Sequence, residues 1–232
     1  AGIDRLTHQP LSFSVSETTE GVHIHIIDAE LMGKGEKEKK DLYIEGIQNN
    51  GIINHYEYII NSEGTIEIRH VLKPEGKMPL WFPRIGLTLT VSDALDQVKW
   101  YGRGPQENYP DRKTGYPTGI YASTVQAMYE PYLMPQDYGL RTDVRWLQLT
   151  TDKGIGLQFK MNEWFNFNIY PYSTDNLTKA MYTYQLQKQK GMTLNLDYAT
   201  TGVGCTARGV FGAYKAMPQE YRRTISIRPM MK

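Results

Sequence analysis

Short stretches in which polar and apolar residues alternate recur along the chain, and they constrain its fold more than any other feature. The clearest stretches are residues 22–26, 65–68, 86–91, 155–159, 193–196 and 224–227. Successive side chains of an extended backbone point to opposite sides, so each stretch predicts a β-strand with one face on a core and one towards water. The segments between them carry turn-forming residues, namely Asn49-Asn50-Gly51, Ser62-Glu63-Gly64, Pro74-Glu75-Gly76, Asp152-Lys153-Gly154 and Lys190-Gly191. Many short strands separated by such turns are typical of an all-β sandwich.

Helical signal is scarce. Residues 174–180 predict one short helix, with Ser173 or Thr174 as its N-cap. Residues 33–40 mix charges of both signs with glycine and predict a solvated hairpin loop. Because the sequence contains no internal repeat, linker or heptad, we expect one domain over residues 1–232.

Composition excludes several classes of protein. The chain of 232 residues has a formal net charge of +1, which offers no electrostatic basis for binding nucleic acid or an anionic membrane surface. The single cysteine, Cys205, excludes an intrachain disulfide and a cysteine metal cluster, and we expect it to be a small buried residue. Cysteine usage therefore leaves the compartment open between cytoplasm and periplasm. Because the chain does not begin with methionine, we expect an excised or processed piece.

A dense run of glycine, proline, tyrosine and charged residues interrupts the alternation between Trp100 and Lys113. Gly102, Gly104 and Pro105 predict an irregular path for the backbone. Four of its charged residues, Arg103, Glu107, Asp111 and Arg112, crowd one loop. We expect arginine–carboxylate pairs to rigidify this loop, and loops with so much fixed polar chemistry are common at binding sites.

The run from Trp100 to Arg112 resembles the signature of the C-terminal domain, or small chain, of family 2 β-galactosidases. That signature reads Trp-x-Gly-x-Gly-Pro-x-Glu-x-Tyr-Pro-Asp-Arg, and every position is met here. Further blocks resemble the same family in the same order, at residues 83–86, 129–137, 139–146, 165–180 and 196–204. The resemblance therefore extends over most of the chain.

This resemblance implies an all-β fold, a galactose-mutarotase-like supersandwich of large twisted antiparallel sheets. It also implies that the chain is an N-terminally truncated fragment of a multidomain enzyme that hydrolyses terminal β-D-galactosides with retention. The two catalytic glutamates of that family lie in a separate (β/α)-barrel domain. The implied partners are that barrel, the other domains, a galactoside substrate and further copies in a homo-oligomer. No cofactor is implied for this chain, whereas the family uses Mg²⁺ and Na⁺ in other domains.

The chain departs from the family pattern near its C-terminus. Relatives carry a Trp or a Cys close to the sugar after the glycines that correspond to Gly202 and Gly204. Here the comparable stretch is residues 205–209, and no Trp follows Trp164. Tyr182 stands where relatives commonly have a histidine.

The candidate sugar-contacting residues are Arg103, Glu107, Asn108, Asp111, Arg112 and Trp146. The aromatic rings of Tyr109, Tyr132 and Trp164 are further candidates for stacking on a pyranose. Glu107 and Asp111 are spaced for an acid–base pair, but ion-paired scaffolding is favoured because two arginines flank them. We therefore predict no catalytic residue in this chain.

His23 and His25 share one face of a predicted strand, which is a possible metal spacing. No third ligand is evident from the sequence, so exposed strand histidines are favoured and no metal site is predicted. Two alternative functions remain open: a free-standing carbohydrate-binding module, and a mutarotase-like sugar epimerase. An epimerase needs a His acid and a Glu base, and no such pair has a convincing spacing. Under the leading hypothesis the domain completes the wall of the active site and stabilises the assembled enzyme.

Overall fold

The computed structural model describes residues 6–32, 50–204 and 209–231. The described residues form eleven strands: β1 Thr7–Thr18, β2 Gly21–Leu31, β3 Gly51–Ile60, β4 Ile66–Glu75, β5 Arg84–Val91, β6 Gln97–Arg103, β7 Thr118–Thr124, β8 Arg141–Thr150, β9 Gly156–Tyr170, β10 Met192–Thr200 and β11 Tyr221–Met230. One α-helix, α1, spans Thr174–Lys179, and single 3₁₀ turns span Thr183–Gln185 and Gly212–Tyr214. The all-β fold class is confirmed.

All six alternating stretches coincide with strands, namely β2, β4, β5, β9, β10 and β11, although Thr65 and Ile155 each lie one residue before their strand. Four of the predicted turns have glycine at positive φ, with Gly64 at 75°, Gly76 at 77°, Gly154 at 78° and Gly191 at 81°. Other residues rarely adopt this conformation, because a Cβ atom clashes with the backbone there. The short helix is also confirmed: the Ser173 hydroxyl caps it by accepting from the Asn176 backbone N–H at 3.0 Å.

The described residues group into two compact units, one within residues 1–82 and 217–227 and the other within residues 83–216 and 228–232. In the first unit, antiparallel pairing gives the strand order β1-β2-β3-β4-β11. The buried apolar residues of this unit include Leu31, Ile52, Ile59, Ile68, Leu72 and Ile225. The expectation of one domain over residues 1–232 stays a prediction.

The second unit is an antiparallel sheet in the order β5-β10-β9-β8-β6-β7. Its central strands carry the largest buried side chains, including Trp100, Leu147, Phe159, Phe165, Phe167 and Leu194. Register shifts interrupt β8 between Arg141 and Val144 and again before Trp146. Such bulges turn individual side chains away from the regular alternation.

Strand β10 contradicts the expectation that alternation leaves one face in water. All residues from Met192 to Tyr198 are buried. The polar side chains are tolerated because they are hydrogen-bonded: Asn195 donates to Asn168 Oδ1 at 2.8 Å and accepts from Thr88 at 2.8 Å. The polar positions of β10 therefore form an internal hydrogen-bonded layer and not a solvent face.

Two expectations, the solvated loop at residues 33–40 and the buried position of Cys205, lie outside the described residues. Among the residues that the structure does describe, no helix has the length and apolar character needed to span a lipid bilayer.

Candidate functional site

Close contacts at two glycines restrict the end of β6 and the turn that follows it. A Cβ atom on Gly102 would lie 2.8 Å from the Val144 side chain, and one on Gly104 would lie 2.8 Å from the Tyr121 ring. The Trp100 side chain is buried beside this turn, 1% exposed. Packing against β7 and β8 therefore restricts both glycines, but Gly102 lies within regular strand β6, so the irregular path predicted from the glycines begins only after Arg103.

The buried carboxylate of Glu107 is the centre of the turn. It accepts hydrogen bonds from Arg112 Nη2 at 2.6 Å, from the Gly139 backbone N–H at 2.8 Å and from the Tyr109 hydroxyl at 3.3 Å. The Tyr132 hydroxyl donates to the same carboxylate. Burial raises the pKa of Glu107, but the hydrogen bonds from Tyr132, Gly139 and Arg112 outweigh it, so the pKa lies below its usual value. Glu107 is thus a fixed anion.

Arg112 projects from this anion towards solvent, with its side chain 48% exposed. The guanidinium lies over the Tyr109 ring, 5.3 Å from its centroid. Burial and the hydrogen bond to Glu107 raise the pKa of Tyr132 to about 12. At neutral pH Arg112 therefore presents a positive charge beside two neutral phenols. Of the arginine–carboxylate pairs expected within the loop, Arg112–Glu107 is one that the structure forms.

Two other candidate residues hold the turn against neighbouring segments. Asn108 is fully buried, and its Oδ1 accepts from both the backbone N–H and the hydroxyl of Thr142, at 3.1 and 2.5 Å. The Asp111 carboxylate accepts backbone N–H groups from Val203 at 3.0 Å and Gly204 at 2.7 Å. In the structure, Asn108 and Asp111 serve as internal acceptors that join the turn to β8 and to the segment after β10.

Arg103 pairs with a residue outside the loop, contrary to the expectation that it would pair within it. Its Nε donates to Asp143 at 2.5 Å, and Lys113 Nζ donates to the same carboxylate at 2.8 Å. Asp143 has a left-handed backbone, φ 55°, at the bulge of β8, which directs its carboxylate to these cations. Burial raises the pKa of Asp143, but the hydrogen bonds from Lys113 and Arg103 outweigh that rise, so the pKa lies below its usual value. Asp143 was not singled out from the sequence.

A cleft of about 550 Å³ lies beside Arg112, within the second unit. It is lined by Pro83, Arg84, Tyr109, Arg112, Tyr132, Gln136, Asp137, Thr174, Thr200, Thr201 and Val203. These residues supply two guanidinium groups, one carboxylate, two phenols and three threonine hydroxyls. Both phenols already donate to Glu107 and Thr200 donates to Asp197, so Arg112, Gln136 and Asp137 are the lining groups best placed to meet the hydroxyl groups of a small polar ligand.

The floor of the cleft contains a second arginine in a polar network. Arg84 Nη2 donates to Asp197 Oδ2 at 2.9 Å and to Asn168 Oδ1 at 3.4 Å, and lies 3.5 Å from Asp137 Oδ2. Complete burial raises the pKa of Asp197 to about 6, although Arg84 opposes the rise. Asn168 also donates to Asp137 Oδ1 at 2.9 Å. The network orients Arg84 and Asp137 before any ligand arrives.

Of the six candidate sugar contacts, Arg112 alone is among the described lining residues of this cleft. Glu107 holds Arg112 in place, whereas Arg103, Asn108 and Asp111 hold the surrounding backbone. Trp146 lies on β8 beside Tyr101, with ring centroids 6.4 Å apart. Tyr109 and Tyr132, two of the rings predicted to stack on a pyranose, both line the cleft.

The residues that the sequence analysis missed as site residues include Arg84, Gln136 and Asp137. Each lies inside a block that resembles the small-chain family, at residues 83–86 or 129–137. The family resemblance therefore pointed to both blocks, but Arg84 and Asp137 are 53 residues apart in the chain. Only the pairing of Arg84 with Asp137 shows that they form one site.

The first unit contains a separate cluster of ionisable groups. His23 and His25 lie on β2, and strand register places Glu57 of β3 directly opposite His25. The ligand-type atoms of these three residues all lie within 4.8 Å of one another. Glu57 was missed because nothing in the sequence gives the pairing register of β2 with β3.

Comparison with known proteins identifies one family. The family model described as β-galactosidase small chain matches residues 9–227. A β-galactosidase of Priestia megaterium is 38% identical over 63% of this chain, and one of Vibrio cholerae is 39% identical over 53%. A β-galactosidase of Aeromonas hydrophila is 28% identical over 88% of the chain.

These matches cover only a small part of each relative: 14%, 11% and 18% of their respective lengths. Among solved structures, a GalM/aldose epimerase homologue from C. elegans is 12% identical, with a TM-score of 0.45 over 95% of this chain and 69% of that one.

Proposed function

Since the chain belongs to the β-galactosidase small-chain family, we propose that it is a non-catalytic part of an enzyme that hydrolyses terminal β-D-galactosides with retention. Its role in that enzyme is to complete one wall of the active site and to stabilise the assembly. The relatives named β-galactosidase support this proposal, because the chain matches 11–18% of their length. The remaining length leaves room for a catalytic domain and further partners.

The observation that carries the proposal is the dependence of the cleft on the Trp100–Arg112 turn. The family signature supplies Glu107, which fixes Arg112, and Tyr109, on which the guanidinium rests. A guanidinium held by a buried carboxylate loses little conformational freedom when it donates to a sugar hydroxyl. Under this proposal, the role of the signature is to support an arginine that faces the ligand.

The same geometry argues against hydrolysis by the two acids of the turn. Retaining hydrolysis needs one carboxyl group with a raised pKa as the acid and a second free to attack the sugar. Glu107 has a lowered pKa and is occupied by four donors, and Asp111 is occupied by two backbone N–H groups. Neither acid of the turn is available for these steps.

The first experiment is an activity assay of the purified chain with nitrophenyl β-D-galactoside. We expect no turnover above that of buffer. Enzymic turnover that scales with the concentration of the chain and is lost in Glu107→Gln would contradict the proposal.

A free-standing carbohydrate-binding module is the second candidate, and the cleft favours it because one compact unit supplies all its lining residues. Calorimetric titration with galactose and lactose separates the two. Binding at millimolar affinity or better, lost in Arg112→Ala but kept in the control Arg145→Ala, would support a module. Arg145 suits the control because its guanidinium lies 4.2 Å from the Trp164 ring and does not line the cleft. Absence of binding heat would support the first proposal, in which the domain forms part of the active-site wall and contacts sugar only in the assembled enzyme.

A further inference from the structure

The His23, His25 and Glu57 cluster on the first unit's sheet has the geometry of a metal site. Glu57 Oε1 lies 3.4 Å from His23 Nδ1 and 3.8 Å from His25 Nε2. Strand pairing produces this arrangement: His25 is the register partner of Glu57, and His23 lies two residues away on the same face of β2. A single carboxylate oxygen is therefore shared by two imidazole rings.

These separations are close to those of bound ligands. For metal–ligand bonds of about 2.0–2.1 Å in a tetrahedral site, adjacent ligand atoms lie about 3.4 Å apart. All the ligand-type atoms of the cluster already lie within 4.8 Å of one another. Small changes in side-chain torsion would bring the three atoms onto one ion, because the strands supply the spacing.

Two outer contacts orient the ligand-type groups. The other ring nitrogen of His23, Nε2, lies 3.0 Å from the Thr18 hydroxyl. The other oxygen of Glu57, Oε2, accepts from Arg69 Nη1 at 3.1 Å. Metal-binding histidines and carboxylates usually use their second heteroatom in this way, which fixes the ring and leaves the first atom facing the ion.

The local charge is compatible with a cation. Arg69 is positive, but it is bound to Glu67 Oε1 at 2.8 Å as well as to Glu57. Two carboxylates therefore outnumber one guanidinium when both imidazoles are neutral. His23 is 12% exposed, Glu57 25% and His25 50%, so an ion would be partly shielded and still reachable from solvent.

We propose that His23, His25 and Glu57 bind a first-row transition-metal ion of the Zn²⁺ type, with water completing its coordination. Two imidazoles and one carboxylate are donors that Zn²⁺, Ni²⁺ and Cu²⁺ accept, whereas Mg²⁺ and Ca²⁺ prefer all-oxygen sets. The ion joins β2 to β3, so it stabilises the folded first unit by mass action. This site is independent of the cleft in the second unit and of the proposed function.

Within the described part of the chain there is one rival cluster, in which His8 Nδ1 lies 3.1 Å from Asp28 Oδ2 and 3.8 Å from Glu30 Oε1. It offers one imidazole, and the side chain of His8 is 65% exposed. We therefore favour the two-histidine cluster for a Zn²⁺-type ion, and the test distinguishes the two.

The test is calorimetric titration of the tag-free chain with ZnCl₂ after treatment with a chelator. We expect saturable binding of one equivalent, and a loss of affinity of more than about tenfold in His25→Ala and in Glu57→Gln. His55→Ala, a substitution on β3 outside both clusters, is the matched control and should leave the affinity unchanged. Melting curves recorded without metal establish that each variant is folded.

A spectroscopic readout complements the calorimetry. Co²⁺ in place of Zn²⁺ should develop visible d–d absorption of the intensity typical of four- or five-coordinate sites, and His25→Ala should abolish it. Absence of saturable Zn²⁺ binding by the wild-type chain, or wild-type affinity in folded His25→Ala, overturns the proposal. Binding that is lost in His8→Ala but kept in His25→Ala assigns the ion to the rival cluster and also overturns it.

Discussion

Replacement of Glu107 by glutamine tests how far the cleft depends on one buried carboxylate. Glutamine has the same shape, but one of its two acceptor oxygens becomes an amide donor. If the amide oxygen stays opposite Arg112, the amide nitrogen faces the Gly139 N–H, which donates to Glu107 at 2.8 Å in the native protein. Two donors then face each other in a buried position.

The expected cost follows from these contacts. A buried N–H that loses its acceptor costs about 1–3 kcal/mol, and hydrogen bonds to a neutral amide are weaker than those to a carboxylate by about 1 kcal/mol. The half-exposed Arg112 recovers part of its loss by hydration. We therefore expect Glu107→Gln to lower the free energy of unfolding by about 2–4 kcal/mol. For a chain of this size that corresponds to a fall in Tm of about 5–15 °C.

The assay is thermal and urea unfolding of both proteins at pH 7, followed by circular dichroism. The control is Glu63→Gln, because Glu63 lies in an exposed turn, and its Tm should be unchanged. If Glu107→Gln melts within a degree or so of the wild type, the carboxylate is not the anchor that its contacts indicate. A fall of equal size in the control would show a general charge effect instead.

Two further predictions concern the same turn. Gly202→Ala places a Cβ atom 2.5 Å from Asp111 Oδ1, so we expect the free energy of unfolding measured in urea to fall by about 1–3 kcal/mol. Gly115→Ala is the control and should be neutral, because the space around its Cβ is open. Equal stability of the two variants would contradict the close approach. Glu107 and Asp143 have pKa values below their usual ones in the folded chain, so the unfolded chain takes up protons first and acid favours unfolding. Their stabilisation is complete above the ordinary carboxyl pKa and is lost as the pH falls through the lowered pKa. Tm should therefore drop once the pH is below the ordinary carboxyl range, and it should drop less steeply in Glu107→Gln. Parallel Tm–pH curves would refute this.

Local patterns in the sequence were sufficient for the strands and turns. The alternation at residues 86–91 corresponds to β5, and the Ser173 cap begins α1 at Thr174. Both features depend on neighbours within a few residues, which is why periodicity and capping rules detect them. The same rules were wrong about the polar face of β10, because burial depends on what covers a strand and not on the strand itself.

The candidate site was predictable only in part. The signature turn pointed to Arg112 and Glu107, and their contact at 2.6 Å is among residues five apart in the chain. Arg103 was also singled out, but its partner Asp143 lies forty residues away and is positioned by a bulge. Charge pairs between distant segments have no signature in a single sequence, so short-range pairing was the default expectation.

By itself, the sequence determined the all-β class, the position of most turns and the family resemblance, because these depend on short-range periodicity and on contiguous motifs. Tertiary structure alone decided that Arg84 and Asp137 share a cleft with Arg112, and that Glu57 meets His23 and His25. Both assemblies depend on strand order and register. Register is set by the combined burial of whole strands, a property of the folded sheet that no short segment encodes.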